Sequence, residues 1–208
     1  MVKVGDSNSS PDILKKWFFS AYYNLMKNLE IGPTPNTKIG PDWDTMDVMV
    51  EYKPTYVHDL KKPMTMIPDN TYDLVYASHI MEHVPWYSVD SVFSEILRIL
   101  RPGGSFEVWV PDFEKIVKVY LTKEFPDNWR MFNKDNDPML WVLGRLFAYD
   151  RGGTNESNFH RNAFDFNHLS KTFIKNGFKE PTVLEKPRTV DHGWVNLGVS
   201  AKKGQVTL

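Results

Sequence analysis

The sequence predicts an α/β protein built on a doubly wound, mostly parallel sheet of seven strands with helices on both faces. Short segments rich in β-branched residues alternate with segments whose apolar residues recur at helical spacing, and two successive strand-like segments come last. Such alternation is typical of parallel sheets whose strands are joined by helices. The length of 208 residues suits one domain, which we assign to residues 1–208.

The first predicted elements are a helix and three short strands. Ser10-Pro11-Asp12 combines an N-cap, a proline at the first helical position and an early acid, and apolar residues at helical spacing continue to about residue 28. Strand-like segments follow at residues 29–31, 45–49 and 55–60.

The middle of the chain alternates between strands and helices. Residues 73–78 have an apolar centre without strict alternation, which suits a strand covered on both faces. A helix that opens at Ser88 is stopped by Pro102-Gly103-Gly104. A strand over residues 105–110 follows, and Pro111-Asp112 turns into a helix that reaches about residue 121.

An irregular segment over residues 124–163 interrupts the alternation, with one short helix expected over residues 138–147. Asp165 then predicts the N-cap of a helix, with Phe164 and Leu169 spaced as a hydrophobic staple. Gly177 predicts the end of that helix. Residues 181–185 and 194–201 are expected to close the chain as a hairpin-like pair of strands.

Composition excludes several classes of function. The 25 basic and 26 acidic residues nearly cancel, so we expect no nucleic-acid partner and no attraction to an acidic membrane. The absence of cysteine excludes disulfides, thiolate metal sites and a cysteine nucleophile. No apolar run is long enough to span a bilayer, and residues 1–12 lack the apolar core of a secretory signal. We therefore expect a cytoplasmic protein.

Ligands of doubly wound sheets bind beyond the carboxyl ends of the strands, so the residues at those ends are the candidate site. They are Glu30, Gly32, Pro33 and Thr34 at the first strand, Asp47 and Val48 at the second, Asp59 and Leu60 after the third, and Ser78, His79 and His83 at the fourth.

Three segments carry a resemblance to a known family. LEIGPTPNTKIGPDWDTMDV is similar to the first motif and second strand of the Rossmann-like S-adenosylmethionine-dependent methyltransferases of type 11. VHDLKKPMTMIPDNTYDLVYASHIMEHV and FSEILRILRPGGSFEVWVPD resemble the stretches around their third, fourth and fifth strands. The resemblance covers about residues 28–201 and is most specific over residues 72–112. It implies S-adenosylmethionine as cofactor, and we expect methyl transfer to oxygen of a small-molecule or sugar-like acceptor.

The resemblance also implies roles for the acidic residues. Asp47 is expected to accept hydrogen bonds from the ribose hydroxyls, Asp59 to bond the adenine amino group with Leu60 beside the ring, and Glu30 to face the methionine amino group. The alternatives are a turn-capping carboxylate for Asp47, a turn residue for Asp59 and a plain strand-end residue for Glu30. The other expected cofactor contacts are Gly32, Pro33, Thr34, Val48, Ser78 and His79.

Three histidines are the catalytic candidates. His79 is expected beside the sulfonium, where a group that titrates near neutral pH can act as general base, with His83 supporting that loop. His160, with Arg161, is expected to meet a polar or anionic acceptor in an insertion that borders the substrate. Structural histidines are the alternative. The spacing of His79 and His83 also occurs in zinc sites, but a third ligand is not apparent and we expect no metal.

The glycine loop departs from the family pattern and leaves other functions open. The loop offers only Gly32, and Asp47 follows it sooner than the about 20 residues of the dinucleotide fingerprint, which leaves little room for a helix between the first two strands. A nicotinamide cofactor needs that helix for its pyrophosphate, so an oxidoreductase is disfavoured. A non-catalytic binding or scaffold domain that kept the fold is the principal alternative.

Overall fold

The computed structural model describes residues 26–125, 137–147 and 158–205. Seven strands form one sheet. They are β1 (Asn28–Ile31), β2 (Trp43–Asp47), β3 (Tyr56–Val57), β4 (Tyr72–Ser78), β5 (Leu100–Pro111), β6 (Phe178–Val183) and β7 (Asn196–Lys203). Their order is β3-β2-β1-β4-β5-β7-β6. Strands β1 to β5 pair in parallel, whereas β7 is antiparallel to both β5 and β6, so the sheet is mostly parallel and mixed at one side.

Four α-helices lie within the described residues: α1 (Val89–Ile99), α2 (Phe113–Thr122), α3 (Pro138–Phe147) and α4 (Phe166–Lys175). The main core joins α1 and α4 to the sheet through edge-to-face rings, with Phe93 5.2 Å from Phe106 and 5.0 Å from Phe173 between ring centres. A second cluster joins α2 and α3 around Trp141 and Val195. None of the described helices has both the length and the apolar character needed to cross a membrane.

The helix ends follow the predicted capping. The Asp112 side chain accepts hydrogen bonds from the first amides of α2, those of Glu114 and Lys115. The Asp165 side chain accepts from the amide of His168 at the start of α4, and Gly177 past its end has a φ of +90°. These predictions, the helix over residues 138–147 and the closing antiparallel pair are confirmed.

Other predicted boundaries were wrong. Pro102-Gly103-Gly104 does not precede the fifth strand but lies inside it, where the pairing shifts register between Tyr72 and Leu74 of β4. An added Cβ at Gly104 would lie 3.0 Å from the carbonyl oxygen of Asp73, so the strands approach too closely there for a side chain. β3 has two residues instead of six, and β2, β6 and β7 are displaced by two or three residues.

Several predictions lie partly or wholly outside the described residues. The first helix was predicted from Ser10 to about residue 28, and residues 10–25 of it are outside the described part, whereas residues 26–27 are not helical and β1 begins at Asn28. Within the expected insertion over residues 124–163, residues 126–136 and 148–157 are not described. Between β1 and β2, residues 32–42 contain turns and no helix, which confirms the expected short connection.

Candidate active site

A cavity of about 730 Å³ opens at the carboxyl ends of β1, β2, β3 and β4. This volume suits a small-molecule ligand. Of the expected cofactor contacts, nine line the cavity: Glu30, Gly32, Thr34, Asp47, Val48, Asp59, Leu60, Ser78 and His79. Pro33 does not line it and is buried instead, which corrects that prediction. The catalytic candidates His79, His83 and His160 also line the cavity, as does Arg161.

Glu30 is a buried carboxylate at the end of β1. Its Oε2 accepts a hydrogen bond from the amide of Ile39, 2.9 Å away, which ties the loop after β1 back to the strand. Burial raises the pKa of the Glu30 carboxyl, against the opposing effects of the Ile39 amide and the Lys38 charge. A cationic ligand group at this end of the cavity would relieve that cost of burial.

Gly32 turns the chain sharply out of β1. Its φ of +75° lies in the left-handed region, and its amide donates to the carbonyl of Met46 at 2.8 Å. An added Cβ would lie 1.8 Å from Cδ1 of Ile80, so the position requires glycine for conformation and for space. The backbone of the first loop is thereby held against the turn after β4.

Asp47 is the last residue of β2. Its Oδ1 accepts from the amide of Met49 at 2.7 Å, and burial raises the pKa of its carboxyl. The capping bond anticipated by the alternative interpretation is therefore present. The residue also lines the cavity, so both interpretations agree with its place in the fold.

Asp59 follows β3 and organises a turn. Its Oδ1 accepts from the amide of Lys61 at 3.0 Å, and its Oδ2 lies 3.5 Å from the Lys61 ammonium. Asp59 and the neighbouring Leu60 both line the cavity. The turn presents this carboxylate and an apolar side chain together.

His79 begins the turn after β4 with a left-handed φ of 56°. Its Nδ1 lies 3.0 Å from Oε1 of Glu82, and its Nε2 lies 3.1 Å from Oδ1 of Asn196. Since both partners can accept a hydrogen bond, this geometry favours a proton on each ring nitrogen. Burial acts to lower the pKa of His79, but the contacts with Glu82 and Asn196 outweigh it and raise the pKa. A general base needs a free lone pair, so this geometry opposes the base role expected of His79.

Glu82 lines the cavity but was not among the residues predicted for the site. It is 1% exposed and lies in a 3-10 turn over Met81–His83. Burial acts to raise the pKa of its carboxyl, but the nearby imidazoles of His79, His83 and His160 lower it. The signal was available in the spacing, because Glu82 follows His79 by three residues and faces it across one turn.

Three further histidines lie near this carboxylate. His83 and His160 approach each other edge to face, with ring centres 4.9 Å apart. His192, on the segment before β7, lies with its ring centre 4.1 Å from that of His79. Burial lowers the pKa of both His160 and His192. Glu82 therefore has four histidines of three chain segments close by, and sequence spacing alone could not have joined them.

The site has a polar connection to the middle of the sheet. The hydroxyl of Tyr76, a buried residue of β4, accepts from the amide of Arg188 at 3.1 Å and lies 3.0 Å from Oγ1 of Thr189. Tyr76 and Thr189 line the cavity with His192. This bond fixes the segment before β7 over the carboxyl end of β4.

Comparison with known proteins agrees with this architecture. The family profile described as "Methyltransferase domain" matches residues 44–108. The sterol 24-C-methyltransferase ERG6B of Gibberella zeae is 50% identical over 42 residues, which are 20% of this chain and 10% of that protein. The ubiquinone/menaquinone biosynthesis C-methyltransferase UbiE of Hydrogenovibrio crunogenus is 35% identical over 83 residues, which are 40% of this chain and 28% of that protein. The chain thus matches well under two thirds of the length of these relatives.

Solved structures share the fold over nearly the whole chain. An S-adenosylmethionine-dependent methyltransferase from Archaeoglobus fulgidus matches with a TM-score of 0.53 at 13% identity. The match covers 93% of this chain and 95% of that chain. One from Methanosarcina mazei has a TM-score of 0.53 at 16% identity, with coverages of 89% and 97%. With the profile match over residues 44–108, the chain is similar to S-adenosylmethionine-dependent methyltransferases and shares their Rossmann-like fold. The cofactor of those methyltransferases is S-adenosylmethionine.

The cavity fits this cofactor. S-adenosylmethionine carries a sulfonium, an amino group and a ribose diol, and it has no phosphate. The cavity presents the carboxylates of Glu30, Asp47 and Asp59, which suit a cation and hydroxyl donors. The described segment between β1 and β2 has no helix N-terminus to hold a pyrophosphate, so a nicotinamide dinucleotide fits poorly.

Proposed function

We propose that the protein transfers the methyl group of S-adenosylmethionine to a small-molecule acceptor. One observation carries the proposal. A single cavity has three carboxylates at the ends of β1, β2 and β3, and a cluster of histidines after β4. The carboxylates suit the cofactor, and the histidines form a separate polar wall for an acceptor.

The cofactor side is assigned to three acids and one apolar residue. Asp47 accepts from the ribose hydroxyls and Glu30 from the methionine amino group, while Asp59 bonds the adenine amino group beside Leu60. S-adenosylmethionine supplies an activated methyl group, so the protein's principal task is to hold two molecules at short range and to exclude water. The remaining contacts are assigned to Gly32, Thr34, Val48, Ser78 and His79, all of which line the cavity.

The acceptor side is assigned to His83, His160 and Arg161. Within the proposed single domain, the latter two end the segment over residues 124–163, and Asn158 of the same segment also lines the cavity. Because Asn158, His160 and Arg161 line the cavity, they support the proposal that this segment forms the acceptor-side wall. His79 has both ring nitrogens engaged, so we assign it a positioning role.

An oxygen acceptor is the first proposal, because a polar wall of imidazoles and a guanidinium suits hydroxyl or carboxylate groups. A carbon acceptor is the second candidate, because the names of the matching sterol and quinone relatives describe C-methyltransferases. Sugar-like acceptors belong to the first class and sterols or quinols to the second.

Calorimetric titration with S-adenosylmethionine, S-adenosylhomocysteine and NAD tests the cofactor. The first two should bind in the micromolar range and raise the melting temperature, with about 2.7 kcal/mol of stabilisation at 100 times the Kd. Binding of NAD with no response to the other two would overturn the proposal.

Incubation with methyl-labelled S-adenosylmethionine and separate pools of hydroxylated small molecules, sugars, sterols and quinols tests the reaction. Mass spectrometry and NMR of the labelled product distinguish a methyl ether or ester from a new carbon–methyl bond. Tight cofactor binding without transfer to any pool would favour a non-catalytic binding domain.

A further inference from the structure

We propose that Glu82, His83 and His160 bind a divalent transition-metal ion at the acceptor end of the cavity. Each of the three offers one ligand atom, and these atoms all lie within 4.8 Å of one another. Sequence spacing paired His83 with His79, whereas this set combines His83 with Glu82 and His160. The third ligand comes from a segment distant in sequence.

The backbone holds the two contributing segments together. The amides of Arg161 and Asn162 both donate to the carbonyl oxygen of Glu82, at 2.7 Å and 3.1 Å. His160 is thereby fixed beside the turn that carries Glu82 and His83. These bonds bring the three side chains close to one another.

The ring orientations suit metal binding. Nδ1 of His83 lies 3.3 Å from the carbonyl oxygen of Phe159, and Nδ1 of His160 lies 3.2 Å from that of Arg145. A carbonyl can only accept, so each Nδ1 carries a proton, and in the neutral ring the lone pair is on Nε2. Metal-binding histidines are typically oriented by such a bond from the other ring nitrogen. We assign the two Nε2 atoms as ligands.

The carboxylate gives independent support. Glu82 is 1% exposed, and its Oε1 lies 3.0 Å from Nδ1 of His79. Within the described residues, its Oε2 has no hydrogen-bond partner. A buried carboxylate with incomplete hydrogen bonding is costly, and an ion on its other oxygen would complete its environment.

The ligand set indicates the class of ion. Two imidazoles and one carboxylate suit Zn²⁺, Co²⁺, Fe²⁺ and Mn²⁺, and three protein ligands leave coordination positions open. A tetrahedral ion at about 2.1 Å from each ligand needs ligand atoms about 3.4 Å apart, so atoms within 4.8 Å of one another would have to move closer when the ion binds. His83 and His160 line the cavity, so the open positions face it.

The ion would select the acceptor, a consequence that rests on the proposed function. An open coordination position next to the cavity takes an oxygen donor from water or from a bound molecule. The metal site therefore favours acceptors with a hydroxyl or carboxylate oxygen close to the atom that is methylated.

The test measures ion binding without cofactor or acceptor. Untagged full-length protein is treated with a chelator and titrated with Co²⁺, followed by visible absorption, and with Zn²⁺ by calorimetry. We expect one ion per chain, a Co²⁺ absorption spectrum of low coordination number, and displacement of Co²⁺ by Zn²⁺. No binding of either ion would overturn the proposal.

Variants locate the site. His83→Asn and His160→Asn should each weaken Zn²⁺ binding about 100-fold or more. His168→Asn, at an exposed histidine of α4 outside the cavity, should leave it unchanged. Glu82→Gln should weaken Zn²⁺ binding as the histidine variants do. If Glu82→Gln does not fold, the two histidine variants alone test the location of the site. Equal affinity in the ligand and control variants would place the ion elsewhere and overturn the assignment.

The same variants test the metal site independently of the proposed methyltransferase function. Titration of His83→Asn and His160→Asn with S-adenosylhomocysteine should give the affinity of the unmodified protein. Loss of ion binding with intact cofactor binding is the expected pattern. Absence of cofactor binding in a protein that binds Zn²⁺ would overturn the proposed function alone.

Discussion

Nε2 of His79 donates to Oδ1 of Asn196 over 3.1 Å, and this bond joins the carboxyl end of β4 to the first residue of β7. Asn196 is oriented in turn, because its Nδ2 donates to Oδ1 of Asp191 at 3.1 Å. With Glu82 at the other ring nitrogen, the imidazole of His79 is held on both sides. It fixes the wall of the cavity, and while both contacts are kept neither ring nitrogen offers a lone pair to a substrate.

The first prediction concerns turnover in His79→Asn. Asparagine tolerates the left-handed backbone at this position and keeps a hydrogen-bond donor. Because a general base is worth about 100-fold or more, a residue that only positions its neighbours should cost less than about 10-fold in kcat. This kcat is measured by steady-state kinetics with the acceptor identified from the pools of small molecules. A fall of about 100-fold with unchanged cofactor affinity would restore the base role.

The second prediction concerns cofactor affinity in Asp47 variants. Hydrogen bonds to a charged group are worth about 1.5–3 kcal/mol, so Asp47→Ala should weaken S-adenosylmethionine binding about 10- to 100-fold. Asp47→Asn keeps an oxygen for the Met49 amide but removes the charge, and it should weaken binding about 10-fold.

Asp42→Ala, at an exposed turn residue before β2, is the matched control and should bind as the unmodified protein does. Normal calorimetric affinity in Asp47→Asn would mean that the carboxylate serves only the turn.

The third prediction concerns stability in Gly32→Ala. The left-handed φ costs a non-glycine residue about 1–2 kcal/mol, and the new Cβ would also displace Ile80. We expect the melting temperature to fall by about 2–8 °C. Gly40→Ala, where an added Cβ meets nothing within 4 Å, should change it little.

Thermal unfolding of the double variant Gly32→Ala with Ile80→Ala separates the backbone strain from the clash with Ile80. Removing the Ile80 side chain removes the clash and leaves the backbone strain, so the effects of the two substitutions should be less than additive. Strict additivity would show that Gly32 and Ile80 do not interact.

The fourth prediction concerns hydrogen exchange over residues 149–164. If this segment covers the acceptor, its amides should gain protection when S-adenosylhomocysteine and an acceptor bind. The amides of Arg161 and Asn162 already donate to Glu82 and should exchange slowly without ligand. Complete protection of the whole segment in the free protein would contradict a covering role.

The sequence predicted the edge of the sheet that holds the site but not how distant segments meet there. Asp47, Asp59 and His79 were expected together because parallel strands end at one edge, a rule that requires only strand order, and all three line the cavity. The proximity of His160 and His83 depends on backbone bonds between segments far apart in sequence, which no periodicity reports.

The errors in strand bounds have similarly local causes. Pro102-Gly103-Gly104 signals a turn in isolation, but pairing with β4 keeps it within β5 as an irregularity. The β-branched residues of 55–60 predicted a strand of full length. Tertiary pairing with the end of β2 gives it only Tyr56 and Val57. Local propensity cannot report the length of the partner strand.

The helix-free connection between β1 and β2 has a consequence for competition among metabolites. ATP, NAD and S-adenosylmethionine share an adenosine, so recognition of that half cannot separate them. Discrimination among these ligands therefore depends on the part of each molecule beyond the adenosine. There, residues 32–42 offer a phosphate no helix N-terminus, and the buried carboxylate of Glu30 repels it. The short connection between β1 and β2 weakens the glycine-rich signature of the family. The same connection favours a cationic adenosine derivative over anionic nucleotides in this pocket.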